Sequence, residues 1–183
     1  MTTMTSHMPR EAKASFRMPT LLKDVLQICI APAVIFVLFT FVFSLSAVSG
    51  PSMLPTYDDN TVIIGARWMA PKHGDTVLVD SQALNQNIVK RVVGLPGDTV
   101  EIVNGVVYLN GKDVVEPYVE YVGGPDIEKT YVPKGMVFVL GDNRVVSLDS
   151  RYVELGLVPD DQVEATVLVS FRLPISVSKL LDK

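Results

Sequence analysis

The feature that most constrains this 183-residue chain is an apolar run from Val25 to Val48 that contains no charged residue. Its only polar interruptions are Gln27, Thr40, Ser44 and Ser46. As a helix rising 1.5 Å per residue, the run is long enough to cross the roughly 30 Å hydrocarbon core of a bilayer. We therefore predict a cytoplasmic tail over 1–24, a transmembrane anchor over 25–48 and one folded domain over 49–183.

The flanks of the run bear on its processing and orientation. The small residues at 46–49 would also suit a cleaved signal peptide, but the apolar part of such a peptide normally covers only about 7–15 residues. Four basic residues precede the run, against only Glu11 and Asp24. Because basic flanks stay in the cytoplasm, we expect a retained single-pass anchor in the cell (inner) membrane, with the N-terminus cytoplasmic and 49–183 extracytoplasmic.

The composition of the exported part excludes several classes of function. Residues 49–183 hold 12 basic and 18 acidic residues, a net charge of −6, which predicts no nucleic-acid partner. The single cysteine, Cys29, lies in the anchor, so no disulfide is expected within the exported domain. Two isolated histidines, His7 and His73, cannot build a metal site, and we expect none.

The exported part is typical of short strands separated by turns. Its apolar runs are rich in β-branched residues, and they cover 61–64, 76–79, 88–89, 99–103, 106–109, 136–140 and 164–169. Asn104-Gly105 between two of these runs predicts a two-residue hairpin. The stretch 116–133, which contains Gly123-Gly124-Pro125, is expected to be a loop or a small insertion.

A candidate nucleophile follows the anchor directly, since Ser52 lies in Ser-Gly-Pro-Ser-Met-Leu-Pro-Thr at 49–56. A serine needs a base to attack a carbonyl at neutral pH. His7 lies in a polar start and His73 beside a turn, so neither suits that role. Lys90 is the better base, because it ends an apolar stretch and opens Lys-Arg-Val-Val-Gly-Leu-Pro-Gly-Asp at 90–98.

A third segment, Gly-Asp-Asn-Arg-Val-Val-Ser-Leu-Asp-Ser-Arg at 141–151, is dense in small, acidic and basic residues. In this order, the three segments closely resemble the type I signal peptidase family, membrane-anchored serine proteases that remove signal peptides from exported proteins. The likeness covers most of 49–171 and includes the placement of the anchor. It implies a mainly β, antiparallel-sheet catalytic domain, no cofactor, and exported precursor proteins and the lipid bilayer as partners.

The resemblance also implies roles for individual residues. Ser52 matches the family's nucleophile and Lys90 its general base, and Ser147 matches the hydroxyl that orients the lysine. The remaining matches are the supporting residues Asp149, Arg151 and Asp142, and the substrate-pocket residues Met53 and Ile88.

The role of Lys90 requires that its charged form be disfavoured. An ordinary lysine has a pKa of about 10.4 and is almost fully charged at pH 7. Burial lowers the pKa of a lysine. The local walls that we expect to bury it are Ile88, Val89, Val92 and Val93.

Two departures from the family pattern affect the expected site. Gly50 stands where some members have a serine that helps to stabilise the oxyanion, so we assign that role only to the backbone N–H of Ser52. Val145-Val146 replaces residues that are usually polar in the family. Trp68 and Met69 fit either ordinary core or an apolar lip at the bilayer.

The resulting hypothesis is a Ser52/Lys90 endopeptidase that cuts after small residues in an A-x-A-like pattern, with the peptide bound as an added strand. One alternative is a dedicated maturation peptidase of the same family, of the conjugation-system or mitochondrial inner-membrane type. A self-cleaving Ser/Lys repressor-type protease would need a DNA-binding domain, for which residues 1–24 are too short. A non-catalytic anchored β-domain that binds exported chains is the remaining alternative.

Overall fold

A computed structural model describes residues 20–173. The chain divides after Phe36 into two compact units. A helix, α1, runs from Thr20 to Phe41 and contains Pro32. Those of its side chains that the structure describes are exposed. Within residues 20–173, no helix reaches the length and hydropathy of a membrane span.

The apolar run 25–48 is divided between a helix and a strand. Helix α1 ends at Phe41, and strand β1, Phe43–Ala47, pairs antiparallel with β2, Thr61–Ala66. Ser44 is buried, and its hydroxyl donates a 3.0 Å hydrogen bond to Glu164. The strand was not predicted because the whole run is apolar. Its Phe-Ser-Leu-Ser-Ala sequence nevertheless alternates apolar and polar residues with the period of two that a half-buried strand shows.

Two antiparallel sheets form the unit that begins at Val37. The first has the order β1-β2-β11-β3-β4-β9-β10. Its further strands are β3 (Thr76–Ser81), β4 (Gln86–Gly94), β9 (Met136–Leu140), β10 (Val158–Pro159) and β11 (Val163–Arg172). The second has the order β7-β6-β5-β8 and comprises β5 (Thr99–Val103), β6 (Val106–Leu109), β7 (Lys112–Asp113) and β8 (Ile127–Tyr131).

The expected mainly β, antiparallel architecture is confirmed, and every apolar run that was predicted as a strand lies in one. Asn104-Gly105 forms the expected hairpin, with φ of 50° and 76° and with Val103 opposite Val106. The stretch 116–133, expected to be a loop or a small insertion, is not a loop throughout, because Ile127–Tyr131 pairs with β5 as β8. Its Ile-Glu-Lys-Thr-Tyr sequence is too polar to predict a strand without the partner.

Strands β4 and β9 contribute to two apolar clusters at once. Alternate side chains of a strand point to opposite faces. Val92 and Val139 pack with Val77 and Val79 in one cluster. The other holds Val93, Phe138 and Leu140 together with residues of the second sheet, namely Val100, Ile102 and Val107. The second sheet thus covers one face of β4, and the neighbours Lys90 and Arg91 point to opposite faces.

Candidate active site

Ser52 lies in a short 3-10 helix, Pro51–Met53, directly after β1. Gly50 caps this helix with φ 88° and ψ 165°, a conformation that is essentially restricted to glycine. Its N–H donates a 2.7 Å hydrogen bond to the carboxylate of Asp59. Met53 at the other end of the 3-10 helix is fully buried. Core packing at Met53 and the hydrogen bond at Gly50 therefore fix the two ends of the turn that carries Ser52.

Strand β4 brings Lys90 to the nucleophile candidate. The Nζ atom of Lys90 lies 2.8 Å from the Oγ atom of Ser52, at hydrogen-bonding distance, and Lys90 is only 4% exposed. A charged lysine donates this hydrogen bond, whereas a neutral amine accepts one from the hydroxyl. The pair therefore has the geometry in which a proton passes from oxygen to nitrogen.

The walls that bury Lys90 differ in part from those expected. Ile88 and Val92 share its face of β4, and Val77 lies opposite it on β3. Val89 and Val93 point to the other face, because side-chain direction alternates along a strand. Adjacency in sequence had suggested all four neighbours, but only those two residues away share the face of Lys90.

Burial lowers the pKa of Lys90 to about 8. Asp149 and Asp142 oppose this shift by favouring the charged amine, and Arg151 adds to it by repulsion. With such a pKa, on the order of a tenth of the lysine is neutral at pH 7. This fraction is sufficient for a general base that works near neutral pH.

Asp149 and Arg151 form a buried ion pair in the catalytic loop, which we define as Gly141–Arg151. The Nε and Nη2 atoms of Arg151 donate to the two carboxylate oxygens of Asp149 at 2.8 and 2.9 Å. The Asp149 carboxylate also accepts from the N–H of Gly141 at 3.0 Å. Asn143 N–H donates to the carbonyl of Ser52 at 3.0 Å, so this loop is bonded directly to the nucleophile candidate.

Ser147 is buried in the same loop, but the predicted hydrogen bond to Lys90 is not formed. Within the described part of the chain, its Oγ has no hydrogen-bond partner. A Cβ atom placed on Gly141 would overlap with this hydroxyl and would lie 2.6 Å from the carbonyl oxygen of Ser52. The hydroxyl of Ser147 therefore packs against the backbone of Gly141.

Asp142 takes part in a network that sequence reasoning largely missed. It is fully buried and accepts hydrogen bonds from Thr56 and, through both carboxylate oxygens, from Arg91. The Arg91 guanidinium also lies 3.9 Å from the centre of the Tyr118 ring. The available signal was its place in an apolar strand, where a charge requires a partner.

A groove of about 340 Å³ opens beside the Ser52–Lys90 pair. It is lined by 46–53, Leu78, Leu84, 86–90, Val146 and Leu148, so both predicted pocket residues, Met53 and Ile88, lie on its wall. In the described sheet, β1 is an edge strand and β4 has no partner beyond β3 at 86–90. Two unpaired strand edges thus border the groove.

Other residues singled out in the sequence lie away from this groove. His73 is an exposed turn residue whose Nε2 atom lies 2.6 Å from Asp98. Trp68 is 61% exposed and packs edge-on against Phe43, which contradicts a place in the core. Within residues 20–173, no group of three or more His, Cys, Asp or Glu side chains is arranged to hold a metal ion.

Comparisons with known proteins find similarity to signal peptidases. A family model described as signal peptidase, peptidase S26, matches residues 21–172. Signal peptidase I of Bacillus licheniformis is 38% identical over 85% of this chain and 91% of its own length. Signal peptidase IB of Staphylococcus aureus is 36% identical over 83% of this chain and 88% of its own length. A crystal structure of a signal peptidase I from Enterococcus faecalis is 34% identical, with a TM-score of 0.47, and covers 55% of this chain and 98% of that one.

Proposed function

Because the chain belongs to the signal peptidase family, peptidase S26, we propose that it is a signal peptidase I. It is a serine endopeptidase that removes N-terminal signal peptides from exported precursor proteins. The observation that carries the proposal is the 2.8 Å contact between Ser52 and a buried Lys90 whose pKa is lowered to about 8, at the wall of an open groove.

The proposed reaction starts with attack of the Ser52 oxygen on the scissile carbonyl carbon while neutral Lys90 takes the hydroxyl proton. The backbone N–H of Ser52 lies in the first turn of its 3-10 helix, whose N–H groups have no partner within the helix, and we assign it to the oxyanion. Collapse of the tetrahedral intermediate breaks the peptide bond, and Lys90 returns the proton to the leaving amine. Lys90 then deprotonates a water molecule, which attacks the acyl-enzyme. Lys90 returns this proton to the Ser52 oxygen as the signal peptide is released with a free carboxylate.

The supporting residues act on this pair through electrostatics and packing. We assign Asp149, Arg151 and Asp142 to the task of holding the catalytic loop and balancing the charge that Lys90 faces. Ser147 packs against Gly141, and its buried hydroxyl has no hydrogen-bond partner in the described part of the chain. No cofactor is required for any step.

We assign the substrate to the groove as an extended peptide. The unpaired edges of β1 and β4 offer backbone N–H and C=O groups to a strand laid between them. Alternate peptide side chains would then enter the wall that contains Met53 and Ile88. A shallow wall of this kind favours small residues before the cut, as in the A-x-A-like pattern.

We further propose that the enzyme works at the outer face of a membrane, with residues 1–24 cytoplasmic and the apolar stretch that begins at Val25 inserted. The uncharged stretch and its basic flank support this placement. So does an apolar sheet face, since Leu45 and Val169 flank Ile64 in the pairing register and are 65% and 56% exposed. Exposed apolar patches of this kind mark membrane or protein contacts.

The test of the function is cleavage of a signal-bearing precursor by the detergent-solubilised chain. Ser52→Ala should lower the rate by several orders of magnitude, because a nucleophile acts as a unit with its base. Ser170→Ala, at an exposed position of β11, is the matched control and should cleave at the wild-type rate. Cleavage by Ser52→Ala at a near wild-type rate would exclude the dyad, and an inactive wild type would favour the non-catalytic β-domain.

A further inference from the structure

We propose that Glu116–Gly124, which we name the clamp, is a positioning element that holds the catalytic loop against Ser52. The inference rests on the proposed function and adds a segment to its active site. The clamp lies between strands β7 and β8 of the second sheet, within the stretch expected to be a loop or a small insertion. It contacts the catalytic loop at both Arg144 and Arg151.

The first contact satisfies a buried charge. The side chain of Arg151 is 1% exposed, and its Nη1 atom donates a 2.6 Å hydrogen bond to the carbonyl of Gly123. Its other acceptors in the described part of the chain are Asp149 and carbonyls of the catalytic loop itself. A buried guanidinium is stable only when its N–H groups have acceptors, so the clamp supplies a partner that Arg151 needs.

The second contact requires glycine at position 124. A Cβ atom on Gly124 would overlap with Nη1 of Arg151, and it would lie 2.8 Å from the Cζ of that side chain and 3.0 Å from the carbonyl oxygen of Arg144. Gly124 also has a φ of +85°. The guanidinium of Arg151 thus stacks directly on the bare backbone of the clamp, and a larger residue would displace it.

The third contact involves Arg144, which is 3% exposed. Its Nη2 atom lies 2.6 Å from the carboxylate of Glu116, and its backbone N–H donates to the carbonyl of Tyr121 at 2.9 Å. The Nε atom of the same side chain donates to the carbonyl of Gly141 at 2.9 Å. One arginine therefore bridges the clamp to the residue that packs against the Ser52 carbonyl.

The fourth contact reaches strand β4 beside Lys90. The ring of Tyr118 lies against the guanidinium of Arg91, and its hydroxyl donates a 3.0 Å hydrogen bond to Glu116. Burial raises the pKa of Tyr118, and the Glu116 carboxylate raises it further. The phenol therefore stays protonated and keeps donating throughout the pH range in which Lys90 titrates.

A short path connects the clamp to the reacting atoms. The Gly123 carbonyl holds Arg151, Arg151 holds Asp149, and Asp149 accepts from the N–H of Gly141. The charged groups that face Lys90 are Asp142, Asp149 and Arg151. Displacement of Arg151 would leave the Asp149 carboxylate less neutralised, which favours the charged form of Lys90.

The test compares Gly124→Ala with Gly135→Ala in the full chain. Gly135 has nearly the same φ, +82°, but a Cβ atom there meets nothing within 4 Å, so it carries the backbone strain without the overlap. We expect Gly124→Ala to move the acid limb of the kcat/KM profile upward by about one pH unit. Activity would then fall about tenfold at pH 7 and little at pH 10. An unshifted profile in an active Gly124→Ala would overturn the proposal.

A double-mutant cycle read by thermal unfolding covers the case in which Gly124→Ala fails to fold. Arg151→Lys removes the Nη1 atom, which the new Cβ atom would approach most closely, so Gly124→Ala should lower the Tm much less in that background than in the wild type. Equal losses of Tm in both backgrounds, including failure of both to fold, would contradict the proposed role of the clamp. If the wild type shows no Ser52-dependent cleavage, the proposed function fails, whereas this cycle still decides the positioning role.

Discussion

Lys90 illustrates how one side chain exchanges stability for reactivity. It occupies a core-facing position of β4 among aliphatic residues, and burial lowers its pKa from an ordinary 10.5 to about 8. Between those two values the unfolded chain binds more protons than the folded one. The contribution of this group to stability therefore rises with pH from about 8 to 10.5, by the linkage relation. Below pH 8 the folded protein bears the full free-energy cost of burying Lys90.

Replacing Lys90 with methionine, an apolar chain of similar shape, should abolish cleavage without loss of stability. At pH 7 we expect Lys90→Met to be as stable as the wild type or more stable, by up to roughly 3 kcal/mol. The difference should shrink as the pH rises from about 8 to 10.5. Thermal unfolding from pH 6 to 11 measures it, with the exposed Lys134→Met as control. A clear fall in Tm at pH 7 would mean that Lys90 is charged and paired.

Gly50 is a second position where one residue is constrained, in this case by its backbone. Gly50→Ser introduces the hydroxyl that some members of the family carry, and the space around it is open. Because φ is +88° and ψ is 165°, we expect a loss of about 1–3 kcal/mol in unfolding free energy. Gly50→Ala should lose the same amount, and unchanged stability in both would contradict the strain. Higher activity in Gly50→Ser alone would reveal a new oxyanion donor.

Among the elements, the edges of β1 and β4 make the groove, and the 3-10 helix between β1 and β2 places Ser52 on its wall. Strand β4 pairs with β3 from Gln86 to Arg91 but with β9 only from Arg91 onward. Its first half therefore presents an open edge within the described sheet, and Lys90 lies where that edge ends. Because the open edge of β4 ends at Lys90, a peptide bound to that edge would lie beside the proposed base.

The wall beside this edge predicts the choice of substrate. A precursor with phenylalanine instead of alanine just before the cut should be processed about 5- to 150-fold more slowly, since forcing a larger side chain against a packed wall typically costs ~1–3 kcal/mol. Ile88→Ala enlarges the space beside the wall, so the enzyme variant should recover part of the cleavage of the precursor that carries phenylalanine. Competition between the two precursors measures both effects. Equal processing by the wild type would show that Met53 and Ile88 do not contact that side chain.

At the scale of the whole molecule, the second sheet supports the strands and the loop that form the candidate site. It packs against β4 and β9 at Gly94, where a Cβ atom would lie 2.7 Å from Val100. Its connection between β7 and β8 forms the clamp. One sheet thus carries the groove while the other holds the charged residues behind it.

The proposed orientation in a membrane can be tested on the full chain with one thiol. Val153 is 95% exposed and lies in a turn after the catalytic loop, so Val153→Cys in a Cys29→Ser background offers a single reactive site. An impermeant thiol reagent should label it in intact right-side-out vesicles without lysis. The Cys29→Ser variant alone is the control and should remain unlabelled. Labelling that appears only after lysis would reverse the orientation.

Much of this protein could be predicted from local patterns. Short β-branched runs and Asn-Gly turns specify strands and a hairpin through conformational preferences that need no distant partner. Ser52 and Lys90 could be paired by motif, and the structure brings their reacting atoms within 2.8 Å. Lys90 was also predicted to be buried, because its neighbours along β4 are aliphatic.

The remaining features depend on contacts between residues far apart in the chain. Strand β1 lies at the end of the apolar run, and its buried Ser44 finds a hydrogen-bond partner in the distant Glu164. Strand β8 has a polar sequence, and it acquires its strand conformation by pairing with β5. The partners of Arg91, which include Gly74, Tyr118 and Asp142, come from separate loops. Arg151 donates to a glycine carbonyl 28 positions away. A buried charge must find acceptors, but local sequence does not reveal which ones, because folding alone brings those groups together.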